Sequence, residues 1–233
     1  MTQQDSIGSV NQDGLSRWWR AYLEHRYAVL FYSLVLTLIG TPALKAVGAS
    51  GDLLQLFLGL NLVAAAVQAD SRKGRWFLPA ILLVAFMLRF LSHLGGYEAL
   101  SIISLVPWTG IALYAVFCAL RFALRSTTIT AEHLYAALSA YLLAGVFLGV
   151  LYFSSMQIWP GSIIVSGAGA SHSFSLFNGI YFSFITLATV GYGDFVPGSD
   201  IVRGIAIVEA IAGQFYLAVM IARLMSLYMR EER

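Results

Sequence analysis

The chain has 233 residues, of which 59% are apolar and only 11% charged, against roughly 25% charged in an ordinary soluble domain. Its mean hydropathy is +0.76. So few charges could not cover a soluble protein of this size, which argues against a soluble enzyme and for an integral membrane protein. The net charge of +2 and the lack of any basic run give no reason to expect a nucleic-acid partner. A single cysteine, Cys118, allows neither an intrachain disulfide nor a Cys-rich metal site.

A helix that crosses the hydrocarbon core needs about 20 mostly apolar residues. Residues 1–27 are expected to form a cytoplasmic tail with an interfacial stretch, because Arg17-Trp18-Trp19-Arg20-Ala21-Tyr22 places tryptophans beside arginines. An ordinary helix flank is the alternative for that stretch. The first apolar run is too long and begins too late for a signal peptide. Six spanning helices are then predicted: Ala28–Val47, Leu53–Ala69, Trp76–Leu94, Tyr97–Leu124, Glu132–Met156 and Asp200–Tyr228.

With the N-terminus inside, 11 of the 14 Lys and Arg residues fall on the cytoplasmic side, leaving Lys45, Arg89 and Arg203 outside or in the outer half. The positive-inside rule therefore predicts a multi-pass protein of the cell membrane with both termini cytoplasmic.

The connection between the fifth and sixth helices, Ser154 to Ser199, contains no Lys or Arg. Its first part, Gly161 to Ser171, is small and flexible in composition and reads as an extracellular loop. Its second part, Phe174 to Leu187, is apolar but only 14 residues long, too short to span and suited to a re-entrant helix.

That short segment runs into Thr186-Leu187-Ala188-Thr189-Val190-Gly191-Tyr192-Gly193-Asp194. The core Thr189-Val190-Gly191-Tyr192-Gly193 resembles the selectivity filter of tetrameric potassium channels. The chemistry suits the resemblance. A potassium ion entering a narrow pore sheds its water, so oxygens must replace it. The carbonyls of Thr189, Val190, Gly191 and Tyr192, with the Thr189 hydroxyl, can stack such oxygen rings around K+. Gly191 and Gly193 supply backbone freedom because they lack a Cβ. Val190 and Tyr192 are expected to point away from the axis and pack behind the filter. One copy per chain implies a homotetramer. The carbonyl end of the short helix carries partial negative charge and favours a cation. Asp194 is expected at the outer mouth.

The resemblance extends into the last helix. Gly213 lies 22 residues after Gly191, where family members often carry a hinge glycine; close helix packing is the competing role. Ala218, Ala222 and Met225 are candidates for an inner constriction. Glu209, an intramembrane carboxylate, is expected to brace the pore helix by hydrogen bonding, with a pH-sensitive role as the alternative. Ile185 stands where certain channels place a carboxylate, and Tyr181 and Phe182 stand where many have tryptophans. The hydrogen-bond network behind this filter must therefore differ.

The implied fold is an all-α membrane protein with six transmembrane helices, a re-entrant pore helix and a filter loop. Residues 28–125 would form a four-helix, sensor-like peripheral domain. Residues 126–233 would form a pore domain, with outer helix 132–156, pore helix 174–188, filter 189–193 and inner helix 200–228. Voltage sensing is not expected to be strong. The fourth helix carries only Arg121 and Arg125, near its cytoplasmic end, whereas roughly 3–4 gating charges per subunit give steep dependence. Asn61 is the one buried polar candidate of the second helix, Arg89 is expected near the outer interface, and Pro107 is placed to kink the fourth helix. Thr130 before Glu132 marks the start of the fifth helix. No ligand-binding domain is expected after the sixth helix, and no cofactor besides the permeant K+. A potassium-uptake subunit and a non-conducting regulatory subunit with a vestigial pore are the alternatives; a single repeat and an intact filter argue against them. His25, His93, His133 and His172 are scattered, with no nucleophile–base or metal spacing.

Overall fold

The computed structural model describes residues 25–46, 57–61, 84, 87, 110, 113–124, 130–166 and 174–231. Four helices and a small sheet form its main elements: α1 (Arg26–Ala46), α2 (Ala131–Ile158), β1 (Ile163–Val165), α3 (Leu176–Leu187), β2 (Phe195–Pro197) and α4 (Asp200–Glu231). A further helical stretch covers Leu113–Leu124. Among the described residues, Ala131–Ile158 and Asp200–Arg223 are long and apolar enough to cross a membrane. The expected first span falls on α1, whose apolar part is Arg26–Gly40. Most of the expected second, third and fourth spans, with residues 1–24, Arg89 and Pro107, lie outside the described residues.

Helix α2 begins at an extended N-cap, Thr130, whose hydroxyl bonds the His133 ring nitrogen at 2.6 Å and not a backbone amide. Glu132 in the first turn suits the positive end of the helix dipole. The helix ends where Pro160 and Gly161 follow the C-cap Trp159, since proline cannot continue the ladder.

The start of α2 is tied to the preceding helices by one cluster. Glu132 accepts a hydrogen bond from the Tyr27 amide at 3.0 Å and lies 3.8 Å from His25. Phe122 stacks on Tyr27 on one hand and on His133 on the other, with centroid separations of 4.5 and 4.6 Å. The Arg26 guanidinium lies 5.2 Å from both the Tyr27 and Phe122 ring centres. Asn61 is buried and fully engaged: its amide donates to the Thr37 hydroxyl and the Phe57 carbonyl, and its oxygen accepts from Ser33. These are the bonds that a polar side chain in an apolar setting needs.

Helix α3 has 12 residues, a rise of about 18 Å against a hydrocarbon core of about 30 Å. Ser175 caps its N-terminus by accepting from the Asn178 amide. It lies closely on α2: a Cβ at Gly149 would stand 2.5 Å from the Ile180 Cα. Small residues at such crossings let two backbones approach. Buried Tyr152, Ile163, Phe182, Ile185 and Val202 fill the space between α2, α3, the sheet and α4.

The sequence expectation of a flexible loop over Gly161–Ser171 is corrected at Ile163–Val165. These residues form β1, paired antiparallel with β2 in the register Ile163↔Pro197, Ile164↔Val196 and Val165↔Phe195. The fold is therefore mostly helical, as expected, with one small two-stranded sheet added to it. Three consecutive β-branched residues favour the strand, but its partner lies beyond α3, out of reach of a local reading.

Replacing Gly149 by leucine should destabilise the folded protein by about 2 kcal/mol, the scale of overpacking in a filled core. Gly40→Ala, with nothing within 4 Å of its added Cβ, should leave stability near that of the parent. Thermal unfolding in detergent or nanodiscs distinguishes the two; equal melting temperatures would contradict the α2–α3 contact.

Candidate functional site

The chain from Leu187 to Phe195 forms a loop built on the end of α3. After the C-cap Ala188, the Thr189 amide donates to the Thr186 carbonyl at 2.9 Å. The Val190 and Gly191 amides then both donate to the Ile185 carbonyl, at 2.8 and 3.2 Å. One carbonyl of the last helical turn therefore anchors two loop amides, and the loop is folded against the helix end.

Positive φ angles occur at alternate positions: 56° at Thr189, 54° at Gly191 and 81° at Gly193. In a regular strand, successive carbonyls point to opposite sides. Alternating left-handed residues with negative-φ residues turns them toward one side, which a ladder of oxygen ligands requires. Glycine adopts positive φ at no steric cost. Thr189 does not, and a left-handed L-residue costs about 1–2 kcal/mol. The sequence reading assigned the unusual backbone to the two glycines and missed the third, strained position. Strain of this kind concentrates at functional sites.

The loop is open on the side away from α3. Val190 is 50% and Tyr192 72% exposed. The expectation that these side chains pack behind the loop concerns an assembly of several chains; among the described residues of one chain nothing covers them. Asp194 is half-buried and engaged. Its carboxylate accepts from the Phe195 amide at 3.1 Å, and its carbonyl accepts from the Ser166 amide. Tyr181, noted in the sequence as a replacement for tryptophan, meets the Phe195 ring edge-on at 5.8 Å, beside the aspartate.

Helix α4 closes the site from the other side. Gly213 is buried, and a Cβ there would stand 2.3 Å from the Leu187 carbonyl oxygen. Helix α4 runs unbroken through this position, so the packing alternative is the one with a contact behind it. The next residue, Gln214, was not singled out from the sequence. Its amide nitrogen lies 3.5 Å from the Thr189 hydroxyl. An amide beside a glycine in an otherwise apolar run was the signal that could have found it.

Glu209 is 1% exposed. Its two carboxylate oxygens accept from Tyr152 of α2 at 2.5 Å and Ser183 of α3 at 2.6 Å. The partners are a bulky aromatic and a small hydroxyl residue that carry no local signal in the sequence. Farther along α4, Tyr216 donates to the Ala137 carbonyl at 2.5 Å and holds this face to α2. Ala218, Ala222 and Met225, spaced along one side of the helix, are all exposed, as are Val208, Ile211 and Phe215. The structure gathers Thr189 to Asp194, Glu209 and Gly213 around the end of α3. It leaves Ala218, Ala222 and Met225 apart from that group, on an uncovered apolar stripe.

No cluster of metal-binding His, Cys, Asp or Glu side chains is found among the described residues. Residues 128–230, which run from just before α2 nearly to the end of α4, match the family model described as Ion channel. No curated protein and no solved structure matches the chain. That family is one of ion channels and not of enzymes. The matched region contains both membrane-length helices and the whole loop.

Proposed function

We propose that the chain is one subunit of a passive potassium-selective channel, with four copies placing their Thr189–Gly193 loops around a common axis. The observation that carries this reading is the alternation of positive φ at Thr189, Gly191 and Gly193, at the end of a half-length helix between two membrane-length helices. Irregular backbone at membrane depth is tolerated where it is buried or lines a water-filled path. Carbonyls of Thr189, Val190, Gly191 and Tyr192 then replace the water around K+. The uncovered side chains of Val190 and Tyr192, with the apolar stripe of α4, favour an assembly in which neighbouring subunits supply the cover.

In this reading the remaining residues take the following parts. Asp194, held by the Phe195 amide, stands at the outer mouth. Ala218, Ala222 and Met225 approach the axis at the cytoplasmic end. Gly213 seats α4 against the loop anchor. The protein lies in the cell membrane with both termini inside, and residues 28–125 surround the pore without a strong voltage sensor. Of the two basic residues near the end of the fourth helix, Arg121 falls within the described stretch Leu113–Leu124.

In planar bilayers with the purified full-length protein, current should be carried by potassium far better than by sodium, and should change only shallowly with voltage. Equal permeability to the two ions would overturn the filter reading, and several gating charges per subunit would overturn the account of the peripheral helices. Gly191→Ala should abolish conduction while the oligomer still assembles, because a Cβ there meets nothing in its own chain within 4 Å but sits at φ +54°. Retained potassium current in that variant, recorded beside size-exclusion chromatography of the same sample, is the contrary outcome.

A further inference from the structure

The buried carboxylate of Glu209 is not used by the filter chemistry, yet it joins three helices. Glu209, Tyr152 and Ser183 are 1%, 0% and 0% exposed. Burying a carboxylate is costly unless its oxygens are hydrogen-bonded, and here each oxygen takes a hydroxyl from a different helix. The other contacts between α2 and α3 are largely apolar, such as Tyr152 edge-on to Phe182 at 4.7 Å. Apolar contacts are non-directional and resist sliding along a helix axis poorly. Hydrogen bonds at 2.5 and 2.6 Å have a narrow range of geometry.

Ser183 lies two residues before Ile185, whose carbonyl anchors the Val190 and Gly191 amides. One turn along α4 from Glu209, Gly213 abuts the Leu187 carbonyl. Helix α4 therefore grips α3 at Ser183 and at Leu187, on either side of the loop's anchor point.

We propose that Glu209 is a positioning residue for conduction. Bridged to Tyr152 and Ser183, it fixes the axial position of α3, keeps the loop carbonyls in register and passes displacements of α4 to the Thr189–Gly193 loop. The consequence for ion flow rests on the potassium-channel reading; the mechanical link does not. The bridge needs hydrogen bonds and not charge. A glutamine can accept from one hydroxyl and donate to the other, so Glu209→Gln should preserve it, while Glu209→Ala removes it.

The test compares the parent, Glu209→Gln, Glu209→Ala and Ser183→Ala as full-length protein in nanodiscs and planar bilayers. Amide hydrogen exchange across residues 176–187 should accelerate about tenfold in Glu209→Ala, less in Ser183→Ala and within about twofold of the parent in Glu209→Gln. The ratio of potassium to sodium permeability should fall in the same order. Parent-like exchange and permeability in an assembled Glu209→Ala would overturn the proposal, as would a Glu209→Gln variant no better than Glu209→Ala. Should Glu209→Ala fail to assemble, Ser183→Ala, which loses a single hydroxyl, decides by the same two readouts. A parent without potassium selectivity would defeat the channel reading, and the exchange comparison would still decide the mechanical link.

Discussion

The structure depends on one constraint: a helix of 12 residues ends on the buried side chains Ile185 and Leu187, and its last carbonyls must be satisfied there. An α-helix leaves its last four carbonyls without internal partners, and an unpaired buried carbonyl is costly. Folding the chain back solves this locally. The Ile185 carbonyl takes two amides and the Thr186 carbonyl a third. These bonds pull Thr189, Val190 and Gly191 into a path no regular element would follow, and the alternating positive φ angles follow from it. The strain at Thr189 is sustained because the surrounding contacts fix the loop at both ends.

What lies around the loop serves to hold that helix end in place. From one side α2 presents Gly149 and Tyr152, from another α4 presents Glu209 and Gly213, and the β1–β2 pair pins the chain that leaves the loop. The edge-on contact of Tyr181 with Phe195 joins α3 to this exit. Other buried polar groups are paired as well, across helices for Asn61 with Ser33 and Thr37 and within α2 for Ser155 with the Leu151 carbonyl. Buried polar groups of this kind cost little when satisfied and give each helix pair a single register.

The membrane-length helices were legible because length and apolarity are local properties. The expected limits 132–156 and 200–228 differ from α2 and α4 by a few residues at their ends. The short helix was legible for the same reason, as was the start of α2 at Thr130. Strand β1 was not, because Ile163–Val165 finds its partner only after the chain has passed through α3. Nor was the part played by Tyr152 and Ser183, which lie 57 and 26 residues from the carboxylate they bind.

The sequence by itself determined that residues 176–187 cannot span a membrane and that glycines stand where the following loop needs left-handed backbone. Those are matters of rise per residue and of a missing Cβ, and each belongs to a few consecutive positions. Tertiary structure alone decided which groups hold the loop. Gly213 against Leu187, Glu209 between two hydroxyls and Tyr181 against Phe195 are meetings of surfaces. They depend on how helices cross, and no periodicity along one helix encodes the face of another. The same physics leaves Val190 and Tyr192 exposed, since no face of the described helices crosses over them.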